Sequence, residues 1–279
     1  MKQQLKIIAS DRVKNNVAFM AFLEALPAAF NHEGTVVHSG RNVLRVMEAK
    51  GFGLEGIDRV MVKRFHALLW FQQIQNTFFC KPKGRKAFDS TSELRRRGFS
   101  PARELALVEV WHHGLYQYAF YVAEMVQGER LTKLIRRLKD EGQQDVISQI
   151  IHQYATLVKN LHERGVLYRD LNGGNVICRQ DEPGGQWQFF LVDTDRARFY
   201  PTDRHLDLKT ATKDLILMKP ELGTNELFQE EYLRQRGLYT PEAAASLRQA
   251  QFARYDRKKR WYRKLWKKYR KFYHRLVED

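Results

Sequence analysis

Between Leu167 and Phe199 the chain reads LYRDLNGGNVICRQDEPGGQWQFFLVDTDRARF, and the side chains in it that could do chemistry are acids and amides. Asp170 and Asp193 stand 23 residues apart, each after an apolar segment, and Asn175 follows the first acid by five. A transferred phosphoryl group needs little covalent help but much positioning and charge neutralisation, and this set supplies both. Asp170 would accept the proton of an acceptor hydroxyl as general base. Asn175 and Asp193 offer the hard oxygen ligands that Mg²⁺ takes alongside the phosphates of ATP. Turn chemistry around Gly173-Gly174 would by itself account for Asp170, Asn172 and Asn175. It would not account for a second acid arriving after a buried-looking strand.

Several elements must position these groups. Val166-Leu167 and Val176-Ile177 read as short strands flanking a catalytic loop, and Phe189 to Val192 as the strand that delivers Asp193. Upstream, Thr35 to Glu48 reads as a hairpin turning at Ser39-Gly40-Arg41-Asn42, which makes Gly40 and Arg41 candidate nucleotide contacts. Its single glycine fits a plain hairpin equally well. Arg59 to Phe65 is a strand whose alternation ends on Lys63, the candidate cation for the α- and β-phosphates. A partner acid for Lys63 is expected on the helix Gly84 to Arg97, where Asp89 and Glu93 share a face at i and i+4; Asp89 is the preferred one.

Strand-like segments at Leu105 to Trp111 and Tyr116 to Met125 lead to a link near residue 127, after which helical periodicity takes over. Asp145 to Arg164 carries an apolar stripe and stops at Gly165, immediately before the catalytic loop. The expected fold is therefore α+β and two-lobed. Residues 1–34 form an N-terminal extension, 35–127 a β-rich, nucleotide-binding N-lobe, 128–254 a helical, catalytic C-lobe, and 255–279 a basic, aromatic, amphipathic C-terminal helix. His162-Glu163 lacks the second histidine of a zinc helix.

At 279 residues the chain can bury a core without staples, and its two cysteines, Cys80 and Cys178, form neither a metal spacing nor a disulfide framework, so a reducing, cytoplasmic setting is expected. The apolar run Val17 to Phe30 is too short, and too interrupted by Glu24 and Pro27, to span a bilayer. Net charge is +16, and residues 252–279 alone hold 12 Lys/Arg against 3 Asp/Glu. Over 257–276 the aromatics recur at helical spacing with Lys and Arg between them, giving one aromatic and one basic face. Such a helix suits an anionic membrane surface. Docked on the C-lobe, its aromatics would instead belong to a core. No nucleic-acid motif accompanies the charge, so no nucleic-acid partner is expected.

With these residues in place the chain resembles the lipopolysaccharide core kinases, the Kdo and heptose kinases with a protein-kinase-like fold. The resemblance covers roughly residues 35 to 235 and rests on Ser39-Gly40-Arg41-Asn42, Val62-Lys63, Lys86-Ala87-Phe88-Asp89, Tyr168-Arg169-Asp170 with Asn175, Leu191-Val192-Asp193-Thr194-Asp195-Arg196, and Lys213-Asp214-Leu215. It implies that Lys63 holds phosphates, Asp89 pairs with it, Asp170 is the base, Asn175 and Asp193 bind Mg²⁺, and Asp214 supports the catalytic loop. It implies ATP as phosphoryl donor and a lipid-A-linked core oligosaccharide as acceptor, on the cytoplasmic side of the inner membrane. Three positions depart from the protein-kinase pattern: Asp89 where Glu is usual, Asn172 where a Lys follows the base, and Tyr168 for the His of H-R-D. No A-P-E closes an activation segment. Another acceptor within the enzyme class, and a membrane-bound scaffold without catalysis, are the alternative readings.

Overall fold

A computed structural model describes residues 3–182, 184–216, 223–257 and 260. The chain divides into two compact units, one comprising residues up to Lys133 together with Gly174–Phe199, the other Leu134–Gly173 with the chain from Tyr200 onward. The first unit is β-rich and the second helical, as the expected α+β class requires.

The first unit is built on a six-stranded sheet. Its strands are β1 (Gln4–Ala9), β2 (Thr35–Ser39), β3 (Val43–Glu48), β4 (Arg59–Arg64), β5 (Glu104–His112) and β6 (Leu115–Glu124), in the spatial order β1-β5-β6-β4-β3-β2. The antiparallel pairing β3 to β4 sets Leu44 opposite Lys63, and β4 to β6 sets Lys63 opposite Tyr121. Successive side chains on a strand point to opposite faces. Val60 and Val62 of β4, Ala106, Val108 and Val110 of β5, and Phe120 and Val122 of β6 thus share a core with Phe19, Leu23 and Leu26 of helix α1 (Val17–Ala29). Each buried Val, Leu or Phe among them contributes about 1.5–3 kcal/mol. Met61, Lys63, Tyr121 and Ala123 are left for the opposite face, where helix α3 (Lys83–Arg96) packs through Ala87 and Phe88. A five-residue helix α2 (Trp70–Ile74) precedes α3.

The N-terminal segment does not stand apart as an extension of this unit. β1 pairs along its whole length with β5, from Gln4 opposite Trp111 to Ala9 opposite Ala106, and α1 supplies three of the largest buried side chains. Burial of that apolar face ties residues 4–30 into the first unit. The link expected near residue 127 contains β7 (Glu129–Arg130), which pairs with β9 (Val176–Arg179), and β9 in turn pairs with β10 (Gln188–Leu191). The catalytic stretch is therefore shared: Asn175 and Asp193 belong to the first unit and Asp170 to the second. Gly128 permits the β7 to β9 approach, because at φ +144° a Cβ there would stand 2.5 Å from the Cys178 carbonyl oxygen.

The second unit is organised by α5 (Gln144–Glu163), reached through α4 (Leu131–Asp140). Its stripe Ile147, Ile150, Ile151, Tyr154, Val158 and Leu161 is buried, as the 3.6-residue period dictates. Tyr154 stacks at 5.1 Å on Phe228 of α7 (Asn225–Gln235). After α5 the chain turns at Gly165, φ +65°, into the two-residue strand β8 (Val166–Leu167). Helix α6 (Leu208–Leu215) is capped by Asp207, whose carboxylate accepts from the Thr210 N–H at 2.7 Å. Residues 241–257 are helical, with Ala244, Leu247 and Gln251 buried. Apart from 257 and 260, the aromatic and basic stretch 257–276 lies outside the described residues.

Candidate active site

In the first unit a cavity of about 340 Å³ opens on the α3 side of the sheet. Its lining brings together Arg41 and Asn42 from the β2–β3 turn, Met61 and Lys63 from β4, Ala87 and Thr91 from α3, and Asn175, Asp193 and Thr194 from the segment around β9 and β10. The Lys63 ammonium donates to Asp193 Oδ1 at 2.6 Å, with Lys63 15 % and Asp193 39 % exposed. Asn175 is held beside them by the Val192 N–H, which donates to its carbonyl at 3.0 Å. Asp193 has φ +66°, a left-handed conformation that costs a non-glycine residue about 1–3 kcal/mol and recurs at functional sites.

The next acid along, Asp195, is held above the usual carboxylate range by burial first and by the negative charge of Asp193 second. Two carboxylates and a lysine thus share one small region, an arrangement that suits cation and phosphate together. Asn175 and Asp193 present oxygen ligands on one cavity wall, the donor chemistry Mg²⁺ accepts when phosphates complete its coordination. Among the described residues no cluster of three or more His, Cys, Asp or Glu forms a cage of its own.

The pairing expected between Lys63 and Asp89 is not formed. Asp89 pairs with Lys81, and Glu93 pairs with Arg96 and Arg97 at 2.7 Å, which pulls its carboxyl down to about 2. The reason is helical geometry. Ala87, Thr91 and Leu94 form the buried stripe of α3, and Asp89 lies two residues from both Ala87 and Thr91, about 200° around the axis. The polar side chain α3 does turn toward the cavity, next to Ala87, is Thr91. Its hydroxyl bonds Tyr121 Oη at 3.0 Å and Thr194 Oγ1 at 2.9 Å, tying α3 to β6 and to the residue after Asp193. Burial drives the Tyr121 phenol well above its ordinary value, so it stays a neutral partner. Thr91, Tyr121 and Thr194 had no signal as single residues; the i, i+4, i+7 stripe on α3 would have found the first.

Asp89→Ala is accordingly expected to leave nucleotide affinity unchanged and to shift stability by no more than about 1 kcal/mol, since it removes one half-exposed ion pair. Titration with a fluorescent nucleotide and a thermal melt check both.

Gly40 is absent from the cavity lining, while its neighbours His38, Arg41 and Asn42 are in it. Arg41 also bonds the His66 ring, at 3.0 Å through Nη2. Burial first, then the charges of Arg41 and Lys83, hold the His66 imidazole below its usual value.

The second unit carries Asp170. Asn172 donates from Nδ2 to Asp170 Oδ1 and to its carbonyl, both at 3.2 Å, which orients the carboxylate. Asp214, buried at the end of α6, accepts the Tyr168 N–H at 2.7 Å and the Arg169 N–H at 2.6 Å, so it supports the loop as expected. Arg169, like Asp193, has φ +66°. Behind Asp214 stands buried His162, whose sequence context speaks only against zinc: it approaches Asp214 Oδ2 at 3.3 Å through Nε2 and the Tyr232 hydroxyl at 2.8 Å through Nδ1. Arg236 donates to the same hydroxyl at 2.8 Å.

Compared with known proteins, residues 60–239 match the model of the lipopolysaccharide kinase (Kdo/WaaP) family, nearly two thirds of the chain. Among solved structures, that of WaaP in complex with acyl carrier protein is similar with a TM-score of 0.60 at 16 % identity, covering 89 % of this chain and 98 % of that one. The likeness is one of fold, protein-kinase-like with a β-rich N-lobe and a helical C-lobe. Ribosomal protein S6 kinase alpha-4 from Homo sapiens, and its counterpart from Mus musculus, are 30 % identical over 125 residues, 44 % of this chain. The matched stretch spans only 16 % of those relatives' length.

Proposed function

Because this chain belongs to the lipopolysaccharide kinase (Kdo/WaaP) family, and is thereby a phosphotransferase, we propose that it moves the γ-phosphoryl group of ATP to a hydroxyl of an inner-core sugar, Kdo or heptose, of lipid-A-linked oligosaccharide. The observation that carries this reading is the convergence of Lys63, Asn175 and Asp193 on one cavity of nucleotide size, with Lys63 and Asp193 in direct contact.

The steps distribute over named groups. Lys63 neutralises the α- and β-phosphates, and Arg41 stands on the same cavity wall to add charge. Asn175 and Asp193 would hold Mg²⁺, which would supply positive charge against the negative charge of the phosphates. Asp170, oriented by Asn172, takes the proton of the sugar hydroxyl as it attacks. Asn172, in the place of the protein-kinase lysine, leaves room and hydrogen-bonding capacity for a polar sugar. Among the described residues no helix is long and apolar enough to cross a membrane. By family likeness the acceptor would be met at the cytoplasmic face of the inner membrane, with the basic stretch 257–276 as one point of hold.

The direct test incubates the purified full chain with ATP·Mg²⁺ and defined lipid-A-linked acceptors and reads phosphate gain by mass spectrometry. Phosphate on the core sugar is expected; nucleotide binding without any phosphorylated acceptor would sink the reading in favour of a scaffold. Lys63→Met should weaken ATP affinity by about tenfold to a hundredfold, the loss of hydrogen bonds to a charged partner. An undiminished affinity in isothermal titration would move the phosphate-binding role to Arg41.

A further inference from the structure

We propose that the segment Leu69–Phe79, which joins β4 to α3 in the first unit, is a bilayer-inserting surface that seats this unit on anionic lipid. The proposal rests on the reading that the acceptor is lipid-linked.

The segment inverts the usual rule of burial. Leu69, Trp70, Phe71, Ile74, Phe78 and Phe79 are exposed, Trp70 at 72 % and Phe79 at 79 %. Two polar side chains between them, Gln73 and Thr77, are half-buried and make the attachments. Gln73 donates to the Leu68 carbonyl and accepts from Gln117 of β6, both at 2.9 Å, and the Thr77 hydroxyl accepts the Tyr116 N–H at 3.0 Å. Hydrogen bonds to β6 therefore hold a helical segment with its apolar side outward. Six large apolar side chains exposed within the stretch 69–79 mark a binding surface rather than ordinary surface scatter.

Its charge setting selects the occupant. From Phe65 to Phe88 there is no Asp or Glu, while Lys81, Lys83, Arg85 and Lys86 follow the aromatic run directly. Lys83 and Arg41 also line a small cavity together with Gln72, Gln75 and Asn76 of the segment. Lys81 and Arg85 are paired with Asp89 and Glu109, and Lys83 and Lys86 add further positive charge beside the segment. Exposed aromatic side chains next to such cations, on a stretch that itself carries no carboxylate, are what an anionic bilayer interface takes. Arg41 lines this small cavity and the nucleotide cavity alike, so the lipid-facing segment and the phosphate site share a wall. A lipid-linked sugar would then be met by a kinase already held at its depth.

Cys80, exposed at the end of the segment, gives a local reporter, because Cys178 is buried and its thiol is pushed up to about 12. The full chain is labelled at Cys80 with an environment-sensitive fluorophore and mixed with phosphatidylglycerol-containing vesicles or with neutral phosphatidylcholine vesicles. A blue-shifted, brighter emission with the anionic vesicles, quenched by nitroxide on the lipid chains, is expected. The double variant Trp70→Gln, Phe79→Gln should lower partitioning by about tenfold and keep its rate on a soluble, delipidated acceptor. Vesicles that co-sediment the protein without changing the Cys80 emission would overturn the proposal, leaving membrane contact to another region. So would an emission change that needs no lipid and grows with protein concentration, the mark of a second copy on this face. Failure of the kinase reading looks different: emission responds to anionic vesicles, but no acceptor, soluble or lipid-linked, gains phosphate.

Discussion

Asp170→Asn should lower the rate of phosphoryl transfer by roughly 10²–10⁴-fold, the contribution of a positioned general base, while leaving ATP·Mg²⁺ affinity close to that of the unaltered chain. The two halves of the expectation have separate structural grounds. Asn at 170 keeps an oxygen for the Asn172 Nδ2 bond now made at 3.2 Å, so the loop retains its local support and loses only the group that takes the proton. Lys63, Asn175 and Asp193 line a cavity built wholly within the first unit, and Asp170 belongs to the second. Single-turnover rates and nucleotide titration separate the effects. Wild-type turnover in the variant would assign the base elsewhere; a collapse of ATP affinity would show that Asp170 serves the metal rather than the acceptor.

How much of this could be read from the sequence differs by the kind of signal each residue leaves. Strong alternation and strong helical stripes were legible: the strand ending in Lys63, the hairpin at Arg41 and the stripe of α5 fall where periodicity put them. The direct contact of Lys63 with Asp193 across 130 positions was not legible: each visibly ends an apolar strand, but the spacing pairs Lys63 with Asp89 and leaves Asp193 to Mg²⁺. β1 was missed because six residues, QLKIIA, are too few to show a period, and their strand character comes from pairing with β5. Spacing along the chain points Asp89 at Lys63, but its angle around the helix decides what it meets, which is Lys81. The segment 69–79 left no conventional signal, since its polar residues are the anchored ones and its apolar residues the exposed ones. The sequence around His162 carries a signal only about metal, against it, because the role behind Asp214 depends on a partner 52 positions away.

That partner is where the largest loss of stability is expected. Asp214→Ala removes the acceptor of the Tyr168 and Arg169 N–H groups at 2.7 and 2.6 Å, and leaves the buried His162 ring without one of its two contacts. Hydrogen bonds to a charged acceptor contribute about 1.5–3 kcal/mol each, and an orphaned buried donor costs a similar amount. Tyr168 is wholly buried, so its N–H gains no water in exchange, whereas Arg169 is exposed and recovers part of its loss. A destabilisation of about 3–5 kcal/mol follows, a large share of the about 5–15 kcal/mol that holds a domain folded. Catalysis should suffer as well, because the same two bonds keep Arg169 at φ +66° immediately before Asp170. Freed of them, Arg169 relaxes toward negative φ and the acid after it loses its bearing. Arg169→Gly separates these causes: glycine adopts positive φ without strain, so in the Asp214→Ala background it should restore part of the turnover but little of the melting temperature, to which Tyr168 and His162 contribute independently. Equal recovery of both would mean that backbone strain at 169, rather than the lost acceptor, accounts for the instability. No recovery of turnover in protein kept folded at low temperature would mean that Asp214 acts on Asp170 by a route other than the Arg169 backbone.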